Sequence, residues 1–349
     1  AGFNLSLQDV EGILDHFVET EGNPEVVQFS GGEPSIHPDI IPMLRMAREK
    51  GIKYVMLNTN GRRIARDDAF LAQLADVRPV IYFQFDGFDD HTTWTLRREK
   101  QLLPEKMLAL DRLASIGLDV VLVPTIERHI NLHEVGAIVK FGLRHPAVKG
   151  INFQPLFHAQ RHIPSDPLQR LTVPDVLRAI DDQCGGTFRA SDFVPVPCCF
   201  PTCNSVTYAW VDGDDVLPMT RLVEVEDYLD YLKNRSVPDL SDEIKEALEG
   251  LWSATAVPGS DNVASKFGMA CAACNLPSME LDSLKDHIFM VMITDFMDPY
   301  TFNLKSLMKC CKEFLLPDGR QIPFCAYNTV GYREQVRQQL GGRRLAGVL

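Results

Sequence analysis

The chain has 349 residues, of which 45% are hydrophobic and 23% charged, which is enough to build the cores of two soluble domains. Its formal net charge of −12 argues against nucleic-acid binding, and no apolar run approaches the ~20 residues that span a bilayer. Its nine cysteines are too few for a disulfide scaffold in a chain of this length. They lie in short motifs in the second half, which favours metal or iron–sulfur ligation in a reducing compartment, by default the cytoplasm.

Between Ser6 and Asn152, short β-rich runs alternate with helical patterns, which is typical of repeated βα units and a parallel sheet. Ser6 is predicted to cap a first helix that ends at Val18. The predicted strands cover residues 25–29, 53–57, 80–85, 118–125 and 150–154, and the predicted helices between them cover 38–50, 67–74, 100–116 and 133–143. This even spacing predicts an α/β partial barrel whose functional loops gather at the carboxyl ends of the strands.

A proline-rich passage from Pro155 to Pro174 ends this alternation, and beyond Cys184 strand signals are sparse while cysteines appear. We therefore predict a barrel domain over residues 1–183 and a cysteine-rich domain over residues 184–349. The acidic stretches 223–232 and 241–251 are predicted to form solvated helices.

The loop after the first predicted strand reads Ser30-Gly31-Gly32-Glu33-Pro34. Two glycines let the backbone approach a ligand closely, and the Glu33 carboxylate can accept hydrogen bonds from an ammonium group. A tight strand-to-helix turn explains the same residues when this loop is considered alone.

The next two predicted strands also end in polar loops. Asn58-Thr59-Asn60-Gly61 follows the second strand, and Gln84-Phe85-Asp86-Gly87 follows the third. The two-residue period of a strand puts Gln84 and Asp86 on one face, where a pair of polar groups suits ribose hydroxyls. Asp86 alone is explained equally well as a turn-forming residue before Gly87.

Three such loops after three successive strands resemble the radical S-adenosylmethionine (SAM) superfamily. Gly31-Gly32-Glu33-Pro34 resembles the family's GGEP motif, which holds the methionine amino group of SAM, and Gln84 and Asp86 resemble its ribose-contacting strand. The resemblance implies a partial (βα)6 barrel in which the five predicted strands are the second to the sixth. The residues that it implies as SAM-binding are Gly31, Gly32, Glu33, Pro34, Asn60, Gln84 and Asp86.

The family's first strand and its CxxxCxxC loop, which ligates the catalytic [4Fe–4S] cluster, normally precede the helix that starts at Ser6. No cysteine of this sequence lies before Cys184. Because the chain starts without an initiator Met, we expect these three thiolates upstream of Ala1. The alternative is a catalytically silent relative that binds SAM or a metal.

Eight of the nine cysteines lie in motifs in the second half of the chain: Cys198, Cys199, Cys203, Cys271, Cys274, Cys310, Cys311 and Cys325. Eight thiolates would complete two four-cysteine [4Fe–4S] sites. The Cys271-x2-Cys274 spacing is equally common in zinc sites, so a zinc-dependent barrel hydrolase is a further alternative. The remaining Cys184 is interpreted as a bystander thiol.

Motifs near the C-terminus resemble the class D radical SAM methylases, a subgroup that includes pterin-methylating enzymes and the archaeal tetraether lipid synthase. They are Phe296-Met297-Asp298, Cys310-Cys311, Leu316-Pro317-Asp318-Gly319 and residues 322–328, together with residues 56–61 and Phe153-Gln154-Pro155 in the barrel. The resemblance implies cleavage of SAM to a 5′-deoxyadenosyl radical that activates a C–H bond. The outcome would be C-methylation or carbon–carbon bond formation on a lipid or pterin-like substrate.

The same resemblance implies further cofactors and partners. One or two auxiliary [4Fe–4S] clusters would lie beside the barrel mouth, and an electron donor such as ferredoxin or flavodoxin would reduce the enzyme. We expect a small-molecule or lipid substrate and a cytoplasmic protein, which would sit at the membrane surface if the substrate is a lipid.

Other polar residues near the predicted loops are interpreted as structural. A lone histidine is more often a satisfied turn residue than a ligand, and this applies to His37 and His91. Arg97 and Arg98 could reach a SAM carboxylate, but an exposed basic pair explains them equally well.

Overall fold

The computed structural model describes residues 4–158, 166–196, 200–221 and 287–341. The helices of the barrel are α1 (Leu7–Glu21), α2 (Ile40–Glu49), α3 (Arg62–Arg66), α4 (Asp68–Val77), α5 (Asp90–Arg97), α6 (Leu103–Ser115), α7 (Val135–Arg144) and α8 (Val173–Gln183). In the part of the chain that the structure describes, three further helices cover Leu304–Leu307, Phe324–Thr329 and Tyr332–Gly341. The predicted helices 223–232 and 241–251 lie outside the described residues.

The strands alternate with helices in the first half of the chain, as predicted. They are β1 (Val26–Phe29), β2 (Tyr54–Thr59), β3 (Val80–Gln84), β4 (Val120–Val123), β5 (Thr125–Ile126), β6 (Val148–Pro155), β7 (Val194–Pro195), β8 (Asn204–Asp212), β9 (Asp215–Pro218), β10 (Ile288–Thr294), β11 (Glu313–Leu315) and β12 (Gln321–Pro323). The five predicted barrel strands are all present, and the prediction of an α/β fold with a mostly parallel sheet is confirmed.

Helix α1 begins at the N-cap residue that its sequence predicts. The Ser6 hydroxyl accepts a hydrogen bond from the Asp9 backbone N–H at 3.1 Å, and the Asp9 carboxylate accepts one from the Ser6 N–H at 2.8 Å. This reciprocal capping box satisfies two N–H groups that would otherwise lack partners. The predicted cap at Ser6 is confirmed, and the helix continues past Val18 to Glu21.

One sheet runs through both halves of the chain, in the order β1-β2-β3-β4-β6-β10-β8-β7. Neighbours from β1 to β6 pair in parallel, and β10 pairs in parallel with β6. Strand β8 is antiparallel to β10, with Asn204 opposite Thr294. The start of β8 therefore lies at the same edge of the sheet as the carboxyl ends of the parallel strands.

The sheet is buried on both faces. One face packs against the helices through residues such as Leu57, Phe83 and Ile151, none of which is exposed. The inner face forms a second apolar cluster that joins the two halves of the chain: Met56, Val80, Tyr82, Val121, Val123, Val194, Val196, Val206, Tyr208, Ile288, Met290 and Met292. Such double burial is typical of parallel sheets.

The sequence prediction missed the strands beyond Cys184. Strand β10 is a continuous apolar run in which every residue is buried, and such a run gives no period that separates strand from helix. Met290 and Met292, within this run, are both fully buried. The predicted boundary after residue 183 coincides with the end of α8, and strands on either side of it belong to one sheet. Within the described residues, no helix is long and apolar enough to cross a membrane.

Gly61, after β2, holds a backbone conformation and a space that only glycine fits. Its φ is +81°, and an added Cβ atom would lie 2.2 Å from the buried Phe83 ring. Gly22 has a similar φ of +71°, but an added Cβ there would meet no atom within 4 Å. The pair therefore separates backbone strain from steric overlap.

We expect Gly61→Ala to lower the free energy of unfolding by about 2–4 kcal/mol, because strain and overlap add. Gly22→Ala has no steric overlap and should cost less, about 1–2 kcal/mol from backbone strain alone. Urea unfolding of both variants checks this, and equal losses would show that the Phe83 ring yields without cost.

Candidate active site

The Glu33 carboxylate joins the loops that follow β1 and β2. Its Oε1 accepts hydrogen bonds from the Thr59 hydroxyl at 2.7 Å and the Ser35 N–H at 3.1 Å. Its Oε2 accepts one from the Asn60 N–H at 2.7 Å. Glu33 is half-buried, so these bonds fix the two loops against each other at the edge of the sheet.

The glycines before Glu33 leave room for a ligand. Gly31 and Gly32 are exposed, and a Cβ atom added at either position would meet nothing within 4 Å. Gly31 has a φ of +156°, which favours glycine. A ligand can therefore approach this backbone closely, as the resemblance to a SAM-binding loop requires. Pro34 begins the short 3-10 helix that leads away from the site.

Gln84 and Asp86, at the end of β3, lie together as the strand period predicted. The Gln84 side-chain amide donates to the Asp86 carboxylate at 3.1 Å. Asp86 is 2% exposed and forms a bidentate ion pair with Arg97, whose Nε and Nη2 lie 2.7 and 2.8 Å from the two carboxylate oxygens. Arg97 is therefore one partner of a largely buried pair and not an exposed basic residue.

The Asp86 carboxylate is ionised because its partners outweigh its burial. Burial alone would raise the pKa of Asp86, but the charge and hydrogen bonds of Arg97 and the Thr125 N–H hold it below the ordinary value of 3.8. All its oxygens are engaged by protein groups, which leaves the Gln84 amide as the accessible polar group of this strand end. Asp86 thus orients Gln84 and Arg97.

Lys106 completes the site, and the sequence prediction missed it. It lies on α6 and is 4% exposed, and its Nζ donates to the carbonyl oxygens of Asn60 at 3.0 Å and Gln84 at 2.6 Å. A signal was present, because Lys106 shares the helical spacing of the buried residues Ala109, Leu110 and Leu113. A lysine on a buried helical face needs partners for its charge.

The histidine interpreted as structural after the Glu33 loop has structural contacts. The His37 Nε2 lies 3.1 Å from the Leu5 carbonyl oxygen, and its Nδ1 accepts a hydrogen bond from the Asp39 N–H at 3.1 Å. Both ring nitrogens are thus occupied by backbone groups.

Three motif cysteines approach one another at the same edge of the sheet. Cys203 precedes β8, Cys310 follows Leu304–Leu307, and Cys325 lies in Phe324–Thr329; Cys311 is exposed. Burial raises the pKa of the Cys325 thiol to about 12, and the neighbouring Cys310 and Cys203 thiols add to this rise. Cys184, at the end of α8, is also buried and belongs to none of these motifs.

Among the described residues, no three or more His, Cys, Asp or Glu side chains are arranged so that they could hold a metal ion. Cys198, Cys199, Cys271 and Cys274 lie outside the described residues, so their predicted role as ligands stays a prediction. The three thiols that do approach one another carry the soft donor atoms that iron–sulfur clusters use.

A second polar cluster at this edge was also missed. Arg170 is bound to the carboxylates of Asp295 and Asp298, and its Nη1 donates to the Thr301 hydroxyl at 2.6 Å. Burial raises the pKa of Asp295 to about 6, although Arg170 opposes the rise. Asp298 belongs to the Phe296-Met297-Asp298 motif, so this cluster anchors that motif beside β10.

The fold and these loops define a parallel half-barrel whose polar site lies at the carboxyl ends of its strands, where such folds bind small ligands. Residues 1–142 match the radical SAM superfamily. A 7,8-dihydro-6-hydroxymethylpterin dimethyltransferase from Methanocaldococcus jannaschii is 30% identical over 97% of this chain and 73% of its own length. The chain therefore belongs to the radical SAM superfamily, and it is an enzyme of that superfamily.

Solved structures with similarity to this chain include two that contain SAM. Streptococcus suis SuiB bound to S-adenosylmethionine is 17% identical, with 44% of this chain and 35% of SuiB covered and a TM-score of 0.38. The enzyme anSMEcpe with bound AdoMet and a peptide is 15% identical, with 51% of each chain covered and a TM-score of 0.42. The similarity thus spans about a third to a half of these proteins.

We expect Arg97→Met to lower the free energy of unfolding by about 3 kcal/mol at pH 7, because Asp86 would stay buried without its cation. Without Arg97, burial raises the Asp86 pKa above 3.8, and the folded state then binds a proton more tightly than the unfolded state. The deficit should therefore shrink as the pH falls through this raised pKa towards 3.8.

Urea unfolding between neutral and acidic pH measures this effect. Arg45→Met is the matched control, because its pair with Asp76 is exposed on both sides and should contribute less than about 1 kcal/mol. A deficit of Arg97→Met that stays constant with pH would show that Asp86 does not depend on Arg97 for its charge.

Proposed function

We propose that this enzyme binds SAM across the loops after β1, β2 and β3 and uses its reductive cleavage to remove a hydrogen from a pterin-like substrate. A separate one-carbon donor, such as a second SAM molecule or a reduced-folate carrier, then supplies the methyl carbon of the C-methylated product. The observation that carries the proposal is the meeting of Glu33, Asn60 and Gln84 at one edge of the sheet, next to the open Gly31-Gly32 backbone. When SAM and a catalytic [4Fe–4S] cluster are bound, they supply a carbon radical that abstracts hydrogen.

Each loop has a separate part in holding SAM. The Glu33 carboxylate accepts hydrogen bonds from the methionyl ammonium. These replace its bonds from the neutral donors of Thr59 and Ser35, and they are stronger because the ammonium is itself charged. Gly31 and Gly32 let SAM approach the backbone closely, and Pro34 fixes the direction in which the chain leaves the loop. Gln84 donates to the ribose, and the buried Asp86 orients it rather than touching SAM.

The substrate class follows from the archaeal relative, which is named as acting on a hydroxymethyl-dihydropterin. The similarity extends over 97% of this chain and is therefore not confined to the barrel. Carbon–carbon bond formation on a lipid is the other outcome that the class D resemblance implies, and assay products separate the two.

We expect the full-length, cluster-loaded protein to form 5′-deoxyadenosine from SAM under strong reductant. When a one-carbon donor, either excess SAM or a reduced-folate carrier, is also supplied, it should add methyl groups to a hydroxymethyl-dihydropterin. Chromatography and mass spectrometry measure the two products. The absence of 5′-deoxyadenosine from protein with intact clusters would favour a silent SAM-binding module. Its formation without pterin methylation would reject the substrate class alone.

Glu33→Ala should weaken calorimetric SAM binding by roughly 1.5–3 kcal/mol, the range for hydrogen bonds to charged groups. Because Glu33 also joins two loops, we expect a loss of unfolding free energy of about 1–2 kcal/mol as well. Glu19→Ala, at an exposed position of α1, is the control for both measurements. Lowered stability with unchanged SAM affinity would make Glu33 a turn residue only.

The cysteines at the barrel mouth support an auxiliary cluster. Cys203, Cys310 and Cys325 would supply three of its thiolates, with a fourth from Cys311, Cys198 or Cys199. A second cluster would use the remaining cysteines, including Cys271 and Cys274. An external one-electron carrier such as ferredoxin or flavodoxin would deliver electrons at this edge.

We expect anaerobically reconstituted protein to bind about four to eight irons per chain with matching sulfide, beyond any catalytic cluster. Cys203→Ala should lower the iron content by up to four and alter the electron paramagnetic resonance spectrum. Cys184→Ala is the matched control, because burial holds its thiol pKa at about 11 and no motif includes it. Stoichiometric zinc without sulfide would instead support a zinc site.

A further inference from the structure

The Lys106 ammonium is a buried charge at the point where two strands end. It leaves the outer helix α6 and reaches over the Phe83 ring, 5.1 Å from the ring centroid, to the carbonyl oxygens of Asn60 and Gln84. Asn60 follows β2 and Gln84 ends β3. One ammonium thus holds the last backbone groups of two neighbouring strands.

This arrangement opposes the ordinary preference of a lysine for water. Burial lowers the pKa of Lys106 to about 8; the nearby Asp86, Glu33 and Glu105 carboxylates raise it, while Arg97 lowers it further. An apolar side chain of the same length would avoid this desolvation. Protonation of Lys106 is therefore less favourable in the folded protein than in water, and its two carbonyl partners and the nearby carboxylates offset part of that cost.

The two carbonyls belong to residues whose other groups build the site. The Asn60 N–H holds the Glu33 carboxylate, and the Gln84 side chain contacts Asp86. A shift of either strand end would move both loops at once. Because misplacement by about 1 Å costs up to a hundredfold in oriented chemistry, a fixed strand end has functional value.

We propose that Lys106 is a positioning residue for SAM: its ammonium fixes the ends of β2 and β3 so that Asn60, Glu33 and Gln84 face the cofactor together. The proposal rests on the SAM site proposed above. Lys106 would affect binding of the adenosine part of SAM as well as the methionyl part, because Gln84 is the residue proposed to donate to the ribose.

Two variants in the full-length, cluster-loaded protein test this role. Lys106→Met keeps the length and removes the charge, and Lys106→Arg keeps the charge. Calorimetry measures their affinity for SAM and for 5′-methylthioadenosine, which has the ribose and adenine but no amino acid. We expect Lys106→Met to weaken both ligands about tenfold, as for the loss of a charge-assisted contact. Lys106→Arg should retain most of the affinity.

A pH series separates positioning from a simple packing role. Below about pH 8 Lys106 is charged, and above it the ammonium loses its proton. Affinity of the wild type for 5′-methylthioadenosine should therefore fall from about pH 7 to about pH 9, and that of Lys106→Arg should stay level. The charged groups that face Lys106 are Asp86, Arg97, Glu33 and Glu105.

The outcomes are distinct. A wild type that binds neither ligand removes the SAM site and this role with it. If the wild type binds and Lys106→Met binds equally well, the SAM site stands and the positioning role is wrong. Weaker SAM binding with unchanged 5′-methylthioadenosine binding also overturns it, because Lys106 would then act only on the amino-acid end. If Lys106→Met does not fold, the pH profiles of the wild type and Lys106→Arg decide.

Discussion

The parallel pairing of β10 with β6 is the constraint on which the arrangement of this protein depends. The two strands come from distant parts of the chain, yet their shared direction brings the carboxyl end of β10 to the edge where the barrel loops end. The antiparallel return through β8 then places Cys203 at that same edge. These two ladders of hydrogen bonds thus bring Cys203 to the mouth of the barrel.

Charges of opposite sign alternate across the bottom of the proposed SAM site. Arg97 forms an ion pair with Asp86, and the Lys106 ammonium lies near the carboxylates of both Asp86 and Glu33. Glu33 in turn accepts a hydrogen bond from the Asn60 N–H. Burying each charge costs free energy, but the neighbours of opposite sign recover much of it. Moving Arg97 would leave the buried Asp86 carboxylate without its ion-pair partner. Such buried networks favour one arrangement of the loops over others close to it.

The sequence predicted the barrel well and the contacts between its loops poorly, for a physical reason. Alternating strands and helices depend on local periodicity, and this located all five barrel strands. The Asp86–Arg97 pair, the three bonds of Glu33 and the partners of Lys106 depend on distances between loops, which no local pattern encodes. Strand β10 escaped detection because both of its faces are buried, which removes the alternation that identifies a strand.

The two halves of the chain depend on each other for more than the site. Tyr82 and Val121 line the inner face of the parallel strands, and they pack against Val206 and Met290 from the second half. Without those partners, the inner face would expose a continuous apolar surface to water. The second half therefore covers the core of the first and also carries the cysteines at its mouth. Because the same strands do both, core packing sets the position of Cys203 relative to the loops after β1, β2 and β3.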